Sequence, residues 1–474
     1  MTRIYALTDS HQECRNLSQL FSGIYQLEKD KNEPFLILDS GDLFKGIYDK
    51  NLSVNAYLKI KELLPNSHIF LTLGNNDFGF NKKDFEYLKN TIQLFENNNI
   101  HILCANIFDS KTNNRPSWIS EYKIIEINKK KILITGFCLD NSCAKKFGYE
   151  LKPAECCYKN LITNMKEKYD KIIVLNHHWY TYSKNLKTSA PEIDLIIGGH
   201  EHSPIEPDFE NNIFYPLSFA RTFYKIDLAD GIKNVEQIPI SKYSHTPEFE
   251  APIIEYEQIT KLKQPIAKRV LNLTKKYSEA CPLGTFISDT MKKLGNTDIA
   301  FHSTGFTMYH MRLEDSPVIT KYDIDKVICA ESTIEKIEIT ATQLKEVFEN
   351  TAVYRMYKDR GNQKFLQCSQ NMSIQGKPLD NKKYQIIQIS INGEKLLDDN
   401  GSPINPNRKF TCTIDPYIGS GEQGFNVLKE LPKTKILIEN KEIPINQLFQ
   451  DALIDAEKNF DGNPDYPTFE YIDL

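Results

Sequence analysis

Short apolar runs alternate with amphipathic stretches through the first half of the chain. The runs are Ile4–Leu7, Phe35–Leu38, Ile69–Leu73, His101–Leu103, Ile132–Thr135, Ile172–Leu175 and Leu195–Ile197. They are rich in Ile, Leu and Val with little alternation, the pattern of strands buried on both faces. Between them, Cys14–Glu28, Val54–Leu64, Lys82–Asn97 and Pro153–Tyr169 carry apolar residues at helical spacing. This β–α alternation predicts a layered α/β domain. Polar residues follow directly on most of the runs, and in such sheets ligands sit just beyond the carboxyl ends of the strands.

The pattern changes near the middle of the chain. Residues from about Ile205 to Ile238 read as strands and turns that close a first domain, residues 1–245. A polar stretch from Pro239 to Glu250 follows. The segment Pro252–Lys263 has helical period and is stopped or kinked by Pro265, since proline removes a hydrogen bond and clashes with the preceding turn. Residues 246–269 are therefore read as a connecting helix and residues 270–474 as a second, mixed α/β domain, opening with a helix near Leu283–Leu294. The acidic, proline-spaced tail after Asn459 reads as a surface extension.

Composition narrows the function classes. Hydrophobic residues make up 40% and charged residues 26% of the 474 residues, ordinary for a globular protein. A formal net charge of −5 gives no basic surplus for a nucleic-acid polymer. The run Lys129–Lys131 reads as a solvated turn between strands. No apolar run approaches the roughly 18 residues of a membrane span, and the N-terminus lacks a signal-peptide core, so a cytoplasmic protein without a membrane partner is expected. The ten cysteines are scattered without a C-x-x-C pair, and Cys156 and Cys157 are adjacent. All ten are read as reduced thiols.

Five polar clusters carry candidate chemistry, each just beyond an apolar run: Asp9-Ser10-His11, Gly41-Asp42, Gly74-Asn75-Asn76-Asp77, His177-His178 and Gly198-Gly199-His200-Glu201-His202. Any one alone is weak, because an Asp-x-His or a loop His pair is commonly just solvated. Five in order at strand ends place carboxylate, amide and imidazole groups together, the mixture that hard and borderline divalent metals prefer. A carboxylate such as Asp42 can bridge two ions. Such a pair, about 3.5–4 Å apart, activates water and neutralises a transferring phosphoryl group.

The ordered set D-x-H, G-D, G-N-x-D, H and G-H-x-H resembles that of the calcineurin-like metallophosphoesterases. The second half extends the likeness. Leu283-Gly284-Thr285-Phe286-Ile287-Ser288-Asp289-Thr290-Met291, Phe365-Leu366-Gln367 and Tyr417-Ile418-Gly419-Ser420-Gly421-Glu422-Gln423-Gly424-Phe425 resemble three motifs of the 5'-nucleotidase C-terminal domain. The resemblance implies a four-layer αββα sandwich followed by a substrate-binding domain. It further implies two divalent ions, Mn²⁺, Zn²⁺ or Fe. Asp9, His11 and His202 would hold the first; Asn75, His177 and His200 would hold the second; and Asp42 would bridge. His178 is left as a supporting residue. A metal-bridging hydroxide would attack phosphorus in line, with Asp42, Asn76 and His200 nearest the chemistry. Phe365 and Tyr417 match rings that clamp a nucleobase, although core packing explains either ring alone, and Gln423 and Asn75 join them as substrate contacts.

Three departures set this chain apart from that pattern. Asn76 stands where the family has a catalytic His, and Gly79 where its partner Asp would be. Thr307 replaces a phosphate-gripping Arg, with Arg312, Arg355 and Arg360 as conceivable substitutes. Gln423 replaces a ribose-binding carboxylate. The implied activity is metal-dependent hydrolysis of a small-molecule phosphoester, a nucleotide first of all, of 5'-nucleotidase or 2',3'-cyclic phosphodiesterase type. Without the His, phosphodiesters or esters with good leaving groups are expected to be favoured. The alternatives are hydrolysis of a non-nucleotide ester, or a nucleotide-binding protein with weak turnover.

Overall fold

A computed structural model describes the chain except at Phe80, 140–141, Lys275, 277–278, 305–316, 329–332, 353–364, 379–383, Asn440 and Leu474. It divides into two compact units, Met1–Glu257 and Gln258–Leu474.

The first unit contains β1 (Thr2–Leu7), β2 (Phe35–Asp39), β3 (Ser67–Thr72), β4 (Ile100–Leu103), β5 (Ile107–Asp109), β6 (Tyr122–Ile127), β7 (Lys130–Cys138), β8 (Tyr149–Leu151), β9 (Lys171–His177), β10 (Leu195–Gly199), β11 (Ile213–Phe214), β12 (Thr222–Leu228) and β13 (Ile232–Pro239). Two sheets face each other, ordered β13-β12-β1-β2-β3-β4 and β11-β10-β9-β7-β6. Strands β1 to β4 run parallel, as do β7, β9, β10 and β11. Their carboxyl ends therefore line up along one edge of each sheet.

Side chains alternate across a strand, and here both faces are buried. Ile4, Ala6, Leu36 and Leu38 meet Ile173, Leu175, Leu195 and Ile197 in the core between the sheets. Tyr5, Leu7, Phe35 and Ile37 point the other way, under α1 (Cys14–Glu28), α2 (Lys50–Leu63) and α3 (Lys82–Glu96). Ile172, Val174 and Ile196 point away from the shared core on the second sheet, and pack with Tyr158 of Ala154–Asn164 and Leu186 of Tyr180–Ser189. This is the four-layer αββα sandwich.

Several boundaries differ from the sequence reading. The second helix starts earlier, at Lys50, because the Asp49 side chain caps it by accepting the Asn51 N–H. The helix expected over Pro153–Tyr169 stops at Asn164. The connecting helix spans Pro247–Thr260, and Pro265–Lys268 is a strand paired with Val318–Thr320. Lys261, at φ +55°, turns the chain between them. The run at Lys129–Lys131 begins in the turn between β6 and β7, with Asn128 and Lys129 both left-handed.

The second unit has a five-stranded sheet built from Leu366–Cys368, Ile299–Ser303, Lys409–Ile414, Glu335–Thr340 and Thr434–Lys435. A four-stranded sheet includes Tyr384–Ile391 and Met372–Pro378. Helix Pro282–Gly295 carries the Leu283–Met291 motif. Its Gly284 lies against the buried Gln367 amide, which accepts the Cys281 N–H and donates to the Glu279 carbonyl. The tail beyond Asn459 is not wholly a surface extension. Phe469 is buried with its N–H donated to Thr285, and Glu470–Asp473 adds a parallel strand beside Met372–Pro378.

Candidate metal centre

The strand-end clusters of the first unit converge. Asp9 lies two residues beyond β1, Asp42 and Asn75 each three beyond β2 and β3, His177 ends β9, and His200 follows β10. The carboxyl edges of the two sheets are stitched together at this point. Ser40 Oγ donates to the Ile197 carbonyl at 2.6 Å, and the His200 N–H donates to the Asp9 carboxylate at 2.9 Å.

Two groups of three donors result, Asp9–His11–His202 and Asp42–His177–His200, with the donor atoms of each group within 4.8 Å of one another. They meet at one oxygen. Asp42 Oδ2 lies 3.5 Å from His11 Nε2 of the first group and 3.3 Å from His177 Nε2 of its own. Asn75 Oδ1 is 3.2 Å from His177 Nε2, and His202 Nε2 is 3.4 Å from Asp9 Oδ1.

The backbone is bent to make this possible. Asp9, His11, Asp42 and His200 have φ of +48°, +46°, +58° and +74°, a region costly for residues with a Cβ. Such conformations cost on the order of 1–3 kcal/mol each and persist where the surroundings over-determine them. Each of the four amides is tied down. The Asp9 N–H donates to the Gly41 carbonyl and the His11 N–H to the Asp42 carbonyl. The Asp42 N–H donates to Asp77, and the His200 N–H to Asp9. Glycine admits the close approaches: a Cβ on Gly74 would stand 2.1 Å from Asp42 Oδ1, and one on Gly199 would stand 2.4 Å from Thr8 Oγ1.

Burial tunes the charges. It lowers His11 to about 4 against the pull of Asp42, and lowers His200 to about 3 with help from the His177 charge. Both are therefore neutral imidazoles, the form that ligates metal. Burial also opposes charge on His177, but Asp42 outweighs it and raises this imidazole to about 10. Asp42 is held well below the carboxylate range, its burial overcome by His177 and His11. His177 Nδ1 faces the Ser40 carbonyl at 2.7 Å. A proton held there leaves Nε2 as the ligating atom. His200 Nε2 is buried and has no hydrogen-bond partner among the described residues. A buried polar atom in that state is normally satisfied by something, and a cation fits both it and the donor set. The residues present therefore suit divalent metal ions.

Three features were given no role from the sequence. Asp77 is buried and accepts the N–H groups of Asp42, Phe44 and Gly74, so it shapes the turn that presents Asp42. Asp39 is buried and accepts from Tyr57 and from the Gly41 N–H. Burial raises Asp77 to about 7 and Asp39 to about 8. Their place one strand-end away from Asp42 and Asn75 was the available signal. Third, Trp179 and Phe219 flank the cluster, with ring centroids 4.2 Å from His200 and 5.1 Å from His202. His178 turns its ring onto Tyr182 at 3.9 Å, and its Nδ1 accepts the Trp179 N–H.

The remaining expected residues belong to the second unit. Phe365 is 1% exposed, within the core cluster that includes Phe301 and Phe348. Tyr417 is half-buried against the same cluster, its N–H and that of Ile418 held by the Asp415 carboxylate. Gln423 is left-handed at φ +57°, with Oε1 3.5 Å from Ser303 Oγ. Of the expected flat-ring clamp, then, Tyr417 is the partly accessible member and Phe365 is covered. Thr307, Arg312, Arg355 and Arg360 lie outside the described residues.

Residues 2–204 match the calcineurin-like phosphoesterase family, and residues 258–430 match the 5'-nucleotidase C-terminal domain. The chain is 22% identical over 420 residues to the metallophosphoesterase YunD of Bacillus subtilis, covering 83% of this chain and 89% of that one. It is 21% identical over 486 residues to the trifunctional nucleotide phosphoesterase YfkN of the same organism, covering 89% of this chain and 32% of that one. The crystal structure of a 5'-nucleotidase precursor from Thermus thermophilus shares the fold, with a TM-score of 0.73, 15% identity and 99% of each chain covered. Fold and site together define a metal-dependent phosphoester hydrolase. Within that class the chain joins a calcineurin-like phosphoesterase domain to a 5'-nucleotidase C-terminal domain.

Proposed function

We propose that this protein hydrolyses a nucleotide-like phosphate ester at a site for two divalent ions. The observation that carries the two-ion reading is the position of Asp42 Oδ2, within 3.5 Å of an imidazole nitrogen from each three-donor group. Asp9, His11 and His202 would hold one ion, and Asn75, His177 and His200 the other, with Asp42 common to both. Ions held there supply Lewis acidity and lower the pKa of bound water. The chain contributes the rest. Asp9 and Asp42 set the negative charge of the site, Ser40 orients His177, and Trp179 and Phe219 wall it. The imidazole-rich, carboxylate-bridged donor set favours Mn²⁺, Zn²⁺ or Fe.

A nucleotide is the favoured substrate because a phosphoesterase unit here accompanies a 5'-nucleotidase C-terminal domain, and because YfkN is named for nucleotide phosphoesters. Tyr417 is the proposed stacking ring, with Gln423 beside it as a sugar contact; Phe365 joins only if its ring is uncovered. The substrate is a small molecule, with neither nucleic-acid polymer nor membrane as partner. Among the described residues no helix is long and apolar enough to cross a membrane. The ten cysteines are scattered without a C-x-x-C pair, which suits a reducing compartment, and we place the protein in the cytoplasm.

Asn76 directs the choice among nucleotides. Its amide is engaged with Asp42 and cannot deliver a proton to a poor leaving group. Metal-replete protein, its Mn, Zn and Fe content measured, should be assayed against 5'-monophosphates, 2',3'-cyclic nucleotides and dinucleotides. The expected result is turnover that favours the diesters, with Asn76→His raising monophosphate hydrolysis. Brisk wild-type monophosphate turnover, not increased in Asn76→His, would sink the diester preference. Nucleotide binding without hydrolysis across the panel would overturn the enzyme reading.

A further inference from the structure

One cation at the edge of the cluster has no part in the donor set described above. Lys45 lies three residues beyond Asp42, and its Nζ donates to Asn76 Oδ1 at 3.0 Å. Asn76 in turn donates from Nδ2 to Asp42 Oδ2 at 2.6 Å and from its backbone N–H to Asp42 Oδ1 at 2.8 Å. The ammonium is therefore linked through a single amide to the carboxylate at which the two donor groups meet.

The backbone holds it there at a cost. Lys45 has φ +73°, a conformation that a lysine rarely adopts. The residues on either side fix it. The Phe44 N–H donates to Asp77 Oδ1 at 2.9 Å, and the Gly46 N–H to Gln12 Oε1 at 2.6 Å. Gly46 packs so closely on His11 that a Cβ there would fall 1.7 Å from the His11 carbonyl oxygen. The loop is thus wedged between the two segments that supply His11 and Asp42, and the half-buried Lys45 side chain reaches back along it to Asn76. Strain over-determined by its surroundings in this way gathers at functional positions.

We propose that Lys45 is a phosphoryl-binding residue, whose ammonium contacts a non-bridging oxygen of the substrate phosphate while Asn76 positions it. This rests on the phosphoester reading above. A lysine binds phosphate as a point charge, and a preorganised donor aimed at developing negative charge is worth about 10²–10³-fold in rate.

The test compares wild type, Lys45→Met and Lys45→Arg, each metal-loaded, with metal content and thermal midpoint measured. The first readout is the affinity for inorganic phosphate, by calorimetry, which needs no turnover. Lys45→Met should weaken it by about tenfold or more with metal content unchanged, and Lys45→Arg should restore most of it. The second readout is kcat/KM on a hydrolysed ester, expected to fall about 10²–10³-fold in Lys45→Met. Unchanged phosphate affinity in a folded, metal-replete Lys45→Met variant overturns the assignment. Phosphate affinity lost in Lys45→Met, with no hydrolysis by wild type, overturns the hydrolase reading and upholds the Lys45 site. If Lys45→Met fails to fold, equal phosphate affinity in wild type and Lys45→Gln decides against the proposal.

Discussion

At the scale of single residues the site is a set of awkward backbone angles made tolerable by small neighbours. Gly74 is the clearest instance. A methyl group there would meet the Asp42 carboxylate at 2.1 Å and the Asp42 amide nitrogen at 2.3 Å, and neither can retreat while Asp77 and Asn76 hold them. Gly74→Ala is therefore expected to displace Asp42 without touching any donor atom's identity. Disturbing the groups that orient metal ligands costs about 10–100-fold in metal affinity. Titration of Mn²⁺ into demetallated Gly74→Ala and wild type measures this; matching affinities would show that the Asp42 turn has more give than its hydrogen bonds indicate. The residue types at the site were legible in the sequence because each cluster ends a strand and holds chemistry-bearing side chains. What escaped were the residues that act through contact. Asp77 was named only as a member of the Gly74–Asp77 cluster, and Lys45 was not singled out, because their roles depend on local turns, such as the one that brings Lys45 Nζ to 3.0 Å from Asn76 Oδ1.

At the scale of elements, legibility followed burial. Strands β1, β2, β9 and β10 are covered on both faces, so their sequences are unbroken apolar runs that stand out from their surroundings. Strand β6 did not stand out, because most of Tyr122–Ile127 is only half-buried at the sheet edge. The helix Tyr180–Ser189 was missed for a similar reason: only Ser183 and Leu186 are buried, too few to set a helical period. In the second unit the Leu283–Met291 helix was legible, but the purpose of its glycine was not. Gly284 leaves room for the Gln367 amide, whose Oε1 a Cβ would approach to 2.3 Å. That amide holds the Cys281 N–H and the Glu279 carbonyl just ahead of the helix. Gly284→Ala must push it away, and overpacking of this kind costs about 1–3 kcal/mol. Denaturant unfolding of the variant should show that loss, while Mn²⁺ stoichiometry stays at the wild-type value because all the candidate donors lie in the first unit. A stability equal to wild type would mean that Gln367 repacks freely.

At the scale of the whole molecule, this division of labour predicts how the protein responds to losing its ions. Both three-donor groups fall within Met1–Glu257, and none of their residues comes from Gln258–Leu474. Without a cation, the first unit buries two carboxylates, a charged His177 and a His200 nitrogen that has no partner among the described residues in one place. Ions that bind only the folded form add stability by mass action, about 2.7 kcal/mol for a ligand at a hundred times its dissociation constant. That gain enters wherever the first unit unfolds. Differential scanning calorimetry of chelator-treated and Mn²⁺-loaded protein is therefore expected to show one transition moving upward with metal concentration. If the second unit unfolds separately, its transition should stay fixed. Limited proteolysis during the scan can assign the moving transition, because cleavage within residues 1–257 should track it. A metal-dependent shift confined to the second unit would contradict the placement of the ions, and no shift at saturating Mn²⁺ would mean that the donor groups hold no ion at all.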